Sequence, residues 1–215
     1  MNTSTREQLL TQLLKDNQQG VSRFSLRKTI VVWCLAAWGF VLLATLWVQT
    51  MRPNWLQELL SSPHFAIETL SGLLAIILLS TWVFRLGVPA SGGRLLLVAG
   101  MVALLVWVGS VIVGLQNPAL PASMAGKREF CRYEVLIYSL PLLIFGLHFL
   151  NRAYVLQWPV SASAMGVVSA LIPAWMMQIA CMYDPAHIIE GHLIPVVLIA
   201  VFACAIGFIL GAKRN

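Results

Sequence analysis

The sequence predicts an all-α membrane protein, a bundle of six transmembrane helices with a short amphipathic helix at its amino end. Hydrophobic residues make up 59% of the 215 residues and charged residues only 10%, and the mean hydropathy is +0.83. So few charges cannot cover a water-facing surface of this size. The length leaves room for one compact bundle and short tails, so we expect a single membrane domain and no separate catalytic domain.

Six apolar segments are long enough to cross a membrane, which takes roughly 20 residues of helix. Connections rich in proline, glycine and asparagine separate them. The segments are Thr29 to Val48, Phe65 to Phe84, Leu95 to Leu115, Glu134 to Leu150, Val160 to Met182 and His192 to Leu210. The fourth segment is the shortest. Pro141, Pro173 and Pro195 fall inside the last three segments, which we expect them to kink.

The positive charges predict the orientation, because cytoplasmic loops retain Lys and Arg. With the amino terminus inside, the cytoplasmic cations are Arg6, Lys15, Arg23, Arg27, Lys28, Arg85, Arg94, Arg152, Lys213 and Arg214. The outer cations are then Arg52, Lys127, Arg128 and Arg132. Both termini are therefore predicted to be cytoplasmic. This divides the chain into a cytoplasmic segment 1–28, a transmembrane domain 29–211 and a cytoplasmic tail 212–215.

The amino-terminal segment predicts a helix of its own. Ser4 and Glu7 have the spacing of a capping box, and Gly20 is a plausible stop. One apolar stripe follows the capping box, formed by Leu9, Leu10, Leu13 and Leu14. A helix of about 15 residues is marginal in water, so the stripe needs a surface to bury it. Lipid headgroups, the protein's own loops and a soluble cytoplasmic protein are the alternatives.

The four cysteines divide into two groups, and no C-x-x-C pair is present. In the predicted topology Cys131 lies just before helix four and Cys181 at the outer end of helix five. Cys34 and Cys204 fall in the cytoplasmic halves of helices one and six and are expected to be packing residues. The outer pair is a candidate sensor of metal or redox state. A structural disulfide and the absence of any functional relation are the alternatives.

Ionisable residues gather at the same predicted face. Thiolate, imidazole and carboxylate groups together form a candidate site for a soft metal ion or for a proton. The residues are Asp184, His187, His192, Glu68 and His64, with Glu129, Glu134 and Glu190 nearby. His64 and Glu68 are four apart and would share a helical face. Glu68 is a functional-site candidate by its depth, although snorkelling of its carboxylate to the interface is the favoured interpretation.

Other classes of function have less support in the sequence. No G-x-S-x-G, H-E-x-x-H, P-loop or dinucleotide-binding motif is present, so we do not expect an enzyme. A small-solute or ion transporter, or a channel using the proline-containing helices, is the first alternative. A membrane thiol oxidoreductase is the second, and the missing closely spaced dithiol counts against it.

Several landmarks together resemble the NrsF family of bacterial membrane anti-sigma factors. They are the leucine-bearing amino-terminal segment, the six spans, the stretch Glu129-Phe130-Cys131-Arg132-Tyr133, the stretch from Cys181 to His187, and the stretch from Gly191 to Pro195. Gly207 and Gly211 in the last helix fit as well. Ala180 and Gly191 depart from the residues that family members often carry there. The resemblance covers nearly the whole chain.

The resemblance implies a negative regulator of an extracytoplasmic-function sigma factor in the bacterial inner membrane. The leucine stripe would bind the sigma factor, and Cys131 and Cys181 would sense metal or oxidative stress. No cofactor is expected beyond transient heavy-metal binding at these two cysteines. The expected partners are the sigma factor and membrane lipid, with no direct binding of nucleic acid and no small-molecule substrate.

Overall fold

A computed structural model describes residues 25–88, 93–121, 123–153 and 155–212. Within these ranges the chain is helical and has no β-strand. The elements are α1 (Leu26–Val48), α2 (Trp55–Ser61), α3 (Pro63–Arg85), α4 (Arg94–Gly114), α5 (Cys131–Asn151), α6 (Trp158–Ala180), α7 (Pro185–Ile188), a π-helical segment (Ile189–Leu193) and α8 (Ile194–Ala212). The predicted amino-terminal helix, with Leu9, Leu10, Leu13 and Leu14, lies outside the described residues.

Six helical stretches are long and apolar enough to cross a membrane, which confirms the predicted fold class. They are α1, α3, α4, α5, α6 and the continuous run Pro185–Ala212 formed by α7, the π segment and α8. Large apolar side chains such as Leu35, Trp47, Leu105 and Ile144 point outward. A water-soluble protein rarely exposes so much contiguous apolar surface, whereas lipid tails solvate it.

Helix α6 is the axis of the bundle. Its most apolar window is 72% buried, whereas the corresponding windows of α1, α4 and Pro185–Ala212 are 22–28% buried. Helices α1, α3, α5 and α8 all pack against it. Small residues allow the close approach of α8, because a Cβ atom at Gly207 would lie 2.7 Å from the Trp158 carbonyl oxygen. In lipid no hydrophobic effect drives helices together, so they associate through close van der Waals contacts at small residues such as this one.

Two helix boundaries differ from the prediction in a way that matters for the site. Helix α5 begins at Cys131 rather than Glu134, and α6 ends at Ala180 rather than Met182. Glu134 can occupy the first turn of α5 because the Arg128 guanidinium lies 2.9 Å from its carboxylate. Cys131 is therefore the first residue of a helix, and Cys181 follows a helix end directly.

The prolines occupy the predicted helices in two different ways. Pro141 and Pro173 lie inside α5 and α6, both of which are assigned as single helices. Pro195 is the second residue of α8, directly after the π segment. Proline has no backbone N–H, so it cannot donate the α-helical hydrogen bond to Gly191. The change from π to α geometry falls at this break.

The contact at Gly207 provides a test of the packing of α8 against α6. Replacing Gly207 with Ala forces the two helices apart and should lower the unfolding free energy by about 1–3 kcal/mol, the usual cost of overpacking. Gly109→Ala is the matched control, because a Cβ atom there meets nothing within 4 Å. Thermal unfolding in detergent should show a lower midpoint for the Gly207 variant alone. Equal midpoints would contradict the close packing of α6 and α8.

Candidate metal-binding site

Four potential metal ligands meet at one end of the bundle. The sulfur atoms of Cys131 and Cys181 and one ring nitrogen each of His187 and His192 all lie within 4.8 Å of one another. The Cys131 sulfur is 2.9 Å from His187 Nε2, and the Cys181 sulfur is 3.4 Å from the same nitrogen. We call these four residues the Cys2His2 cluster and this end of the bundle the cluster end.

Three helix termini place the ligands of the cluster. Cys131 begins α5, and Cys181 follows α6, where its backbone N–H donates to the Met177 carbonyl at 2.8 Å. The extended backbone of Cys181 turns the chain toward α7, whose first residue is Pro185. His187 lies in α7 and His192 in the π segment. The thiols and imidazoles thus come from three separate elements that meet only in the folded bundle.

The π segment brings the two histidines together. In an α-helix, residues five apart differ by about 140° around the axis and cannot share a face. Here the Ile194 N–H donates to the Ile189 carbonyl five residues earlier, and the rings of His187 and His192 lie 5.3 Å apart. Gly191 keeps the space free, because a Cβ atom there would lie 3.2 Å from the Cys131 sulfur. π-Helical turns of this kind are frequent at functional sites.

The burial of His192 makes the cluster a candidate site for a ligand. The residue is 0% exposed, and neither ring nitrogen has a hydrogen-bond partner among the described residues. An unsatisfied buried imidazole destabilises the fold. A tetrahedral ion of the zinc type holds sulfur and nitrogen ligands about 3.3–3.8 Å apart. The four donor atoms therefore need only small displacements to surround such an ion.

Both cysteines of the cluster are buried free thiols. The neighbouring Cys131 thiol, followed by the rings of His187 and His192, holds the pKa of the Cys181 thiol well below its usual range. A thiolate is the form that binds metal ions and the form that is oxidised. Cys34 and Cys204 are half-buried and lie outside the cluster.

The other predicted outer-face residues are not ligands of the cluster. Asp184 caps α7, where its carboxylate accepts from the Ala186 N–H at 3.1 Å. His64 is exposed. Glu68 is 1% exposed and turned into the bundle, which contradicts snorkelling to the interface. His64 and Glu68 border the same cavity of about 430 Å³ between α3 and α4.

Glu68 belongs to a buried network that the sequence analysis missed. Its carboxylate accepts from Gln178 Nε2 at 2.6 Å and from the Tyr183 hydroxyl at 3.0 Å. The amide oxygen of Gln178 in turn accepts from Trp107 Nε1 at 2.6 Å. Gln178 could have been suspected, since it is a strongly polar residue inside an apolar span. The network satisfies the carboxylate and joins α3, α4 and α6 below the cluster.

Two arginines that the sequence analysis treated as loop cations are also buried. Arg52 is 1% and Arg128 2% exposed. Arg52 pairs with Glu58 at 2.7 Å, and Arg128 pairs with Glu134 at 2.9 Å. In both pairs the acid follows the arginine by six residues, which is the one sequence signal for them.

These features define a multi-pass membrane protein with a thiol-imidazole cluster at one end of its bundle. Residues 14–211 match the NrsF family, described as negative regulator of sigma F. The match covers nearly the whole chain, and the chain belongs to this family. No match to the chain was found among curated proteins or among solved structures. The family description is that of a regulator with a sigma factor as partner.

The unsatisfied imidazole of His192 leads to a stability prediction. Replacing His192 with Leu removes a buried polar group without a partner, so the metal-free protein should gain about 1–3 kcal/mol in unfolding free energy. His187→Leu is the control, because it removes an imidazole that contacts both thiols. We expect the thermal midpoint in detergent with a chelator to rise for the first variant and fall for the second. A lower midpoint for His192→Leu would show that its imidazole is satisfied.

Proposed function

We propose that this protein is a membrane-bound anti-sigma factor that holds an extracytoplasmic-function sigma factor at the bacterial inner membrane. It releases the sigma factor when a soft metal ion or oxidative stress acts on Cys131 and Cys181. The observation that carries the proposal is the Cys2His2 cluster in a chain of a sigma-regulator family. The cluster would bind the metal ion or react with the oxidant, and the release of the sigma factor would be the response.

The composition of the cluster favours a metal ion as the signal. Two thiols and two imidazoles form the ligand set of tetrahedral zinc sites, and the thiols also suit other soft ions such as cadmium or copper(I). His187 is half-buried while the other three ligands are buried. An ion would therefore enter past His187 and then replace the contacts that the two thiols make with its ring.

Oxidation is a second input that the same cluster supports, because its two sulfur atoms lie within 4.8 Å of each other. A disulfide would form as the two thiols pass two electrons and two protons to an oxidant such as a peroxide. Disulfide formation uses only the two cysteines, whereas metal binding uses the two cysteines and the two histidines. Metal binding therefore accounts for all four residues of the cluster.

The cation distribution supports an orientation with the amino terminus in the cytoplasm. Arg52 and Arg128 oppose this orientation if they are counted as free loop charges. Both are buried and paired with Glu58 and Glu134. With Arg52 and Arg128 left out of the count of loop cations, Lys127 and Arg132 remain of the four at the cluster end, and a small number of Lys and Arg residues favours an extracytoplasmic face.

The metal-sensing proposal can be tested with the purified full chain. Cadmium titration should give one bound ion per chain, with the ultraviolet absorption of thiolate-cadmium bonds. Cys131→Ser or Cys181→Ser should weaken binding by at least about 100-fold, because loss of a ligand costs more than loss of a supporting group. Cys204→Ser is the matched control and should bind as the wild type does. Equal binding by all variants would refute the sensor.

The sigma-binding surface is tested by the leucine stripe. Leu10→Asp with Leu13→Asp should weaken retention of the sigma factor by about 100-fold or more, since two buried leucines lose their contacts. Thr11→Asp with Gln12→Asp adds the same charge beside the stripe and should retain it. The measurement is co-purification in mild detergent with identification of the retained protein. Unchanged retention in the first variant would leave lipid as the partner of the stripe.

A further inference from the structure

Arg128 holds the end of α1. Its guanidinium donates to the carbonyls of Thr45 at 3.0 Å, Gln49 at 3.0 Å and Thr50 at 3.4 Å. The Thr45 carbonyl lies in the last turn of α1 and also accepts from the Gln49 N–H at 3.2 Å, whereas Gln49 and Thr50 directly follow the helix. One guanidinium carries five donors and can satisfy several such carbonyls at once. The end of α1 therefore depends on a side chain from another part of the chain.

The same guanidinium is joined to the beginning of α5. Arg128 donates to both carboxylate oxygens of Glu134, at distances of 2.9–3.2 Å. The Tyr138 hydroxyl, one turn later, lies 3.4 Å from the same carboxylate and 3.3 Å from the Ala44 carbonyl of α1, and its single proton is donated to one of these two acceptors. Cys131 lies between Arg128 and Glu134 in the chain. A displacement of the Cys131 thiol thus acts on the segment that holds α1.

The other cysteine is tied to the same region by a second buried arginine. Arg52, four residues after α1, donates from Nη1 to the Cys181 carbonyl at 3.2 Å and from its backbone N–H to the Ala180 carbonyl at 3.1 Å. Gly126, with φ of +76°, packs on Arg52, because a Cβ atom there would lie 2.9 Å from the Arg52 Cβ. Both cysteine-bearing segments therefore converge on the end of α1.

The remaining packing of α1 is light. Only 28% of its most apolar window is buried, against 72% for α6. Its hydrogen bonds to the bundle in the membrane include Trp33 Nε1 to the Leu142 carbonyl at 3.2 Å, which again connects it to α5. Helix α4 and Pro185–Ala212 are packed as lightly, with 22–28% of their windows buried, but α1 is the helix that Arg128 contacts. Because a lightly packed helix is displaced more easily than a buried one, α1 should move with the segment that carries Arg128.

We infer that Arg128 and Arg52 are positioning residues that couple the Cys2His2 cluster to α1, and that Arg128 holds α1 in the metal-free, sigma-retaining arrangement. The inference rests on the proposed function. The 2.9 Å contact between Cys131 and His187 is shorter than the ligand separation around a tetrahedral ion. Metal binding therefore displaces Cys131 from His187, and with it the segment of Arg128. Arg128 contacts the carboxyl end of α1, and residues 1–24 precede its amino end. A displacement of α1 after Arg128 releases it therefore also displaces the segment that carries the sigma-binding stripe.

The test compares Arg128→Gln with the wild type, using the full chain in lipid nanodiscs and the sigma factor that co-purifies with the wild-type chain. Two quantities are measured, cadmium binding by thiolate absorption and sigma retention with and without cadmium. Arg132→Gln is the matched control, because Arg132 is exposed next to Cys131 and the substitution removes the same charge. The double variant Arg128→Gln with Glu134→Gln leaves no unpaired buried charge and guards against a folding defect.

In the wild type we expect cadmium to lower sigma retention about tenfold or more, a normal size for allosteric coupling. Arg128→Gln and the double variant should bind cadmium with affinity within about threefold of wild type, yet retain little sigma factor even without cadmium. The control should behave as the wild type does. The inference is overturned if Arg128→Gln retains and releases the sigma factor normally, or retains it in both states. Loss of cadmium binding in both Arg128 variants would also overturn it, since the arginine would then serve only the fold of the cluster.

The wild-type result separates this inference from the proposed function. If the wild type binds cadmium but keeps the sigma factor, or retains none at all, the proposed function fails. If the wild type responds and the Arg128 variants respond equally, only the coupling through α1 fails.

Discussion

A helical bundle in lipid has no water with which to satisfy a buried polar group, and this constraint explains how the cluster end is built. Arg128 lies where it can satisfy both the last carbonyls of α1 and the carboxylate of Glu134. Glu68 accepts hydrogen bonds from Gln178 and Tyr183. These buried charged groups are thus collected at one end of the bundle, where they have hydrogen-bond partners.

His192 departs from this pattern with both of its ring nitrogens. It is fully buried and has no hydrogen-bond partner in the described part of the chain. The π segment that places it is itself a departure from regular helix geometry. Local rules are typically broken where a functional site requires it. An imidazole without a partner, beside two thiols, supports the proposal that the cluster binds a metal ion.

The unequal packing of the helices supports the proposed coupling between the cluster and α1. Helix α6 is surrounded by neighbours and provides a fixed axis, whereas α1 is mostly exposed to lipid. Both cysteine segments reach α1 through buried arginines rather than through apolar packing. Hydrogen bonds from a guanidinium form only within a limited range of distances and angles, so a small displacement of the cluster can break them. A rigid axis and a lightly held helix are the two elements that a transmembrane switch needs.

The sequence by itself determined the six spans, because apolar runs of this length satisfy their backbone in lipid only as helices. It also identified the two cysteines and two histidines of the cluster as candidates, since these residue types are soft-metal ligands at one predicted face. Only the tertiary structure decided that these four meet while Asp184 and His64 do not. It alone showed the inward turn of Glu68 and the pairing of Arg52 and Arg128. Those outcomes depend on contacts between distant segments, such as the hydrogen bond from Gln178 to Glu68 across 110 residues. They also depend on a π turn that no periodicity in the sequence predicts, because it is stabilised by the packing around it.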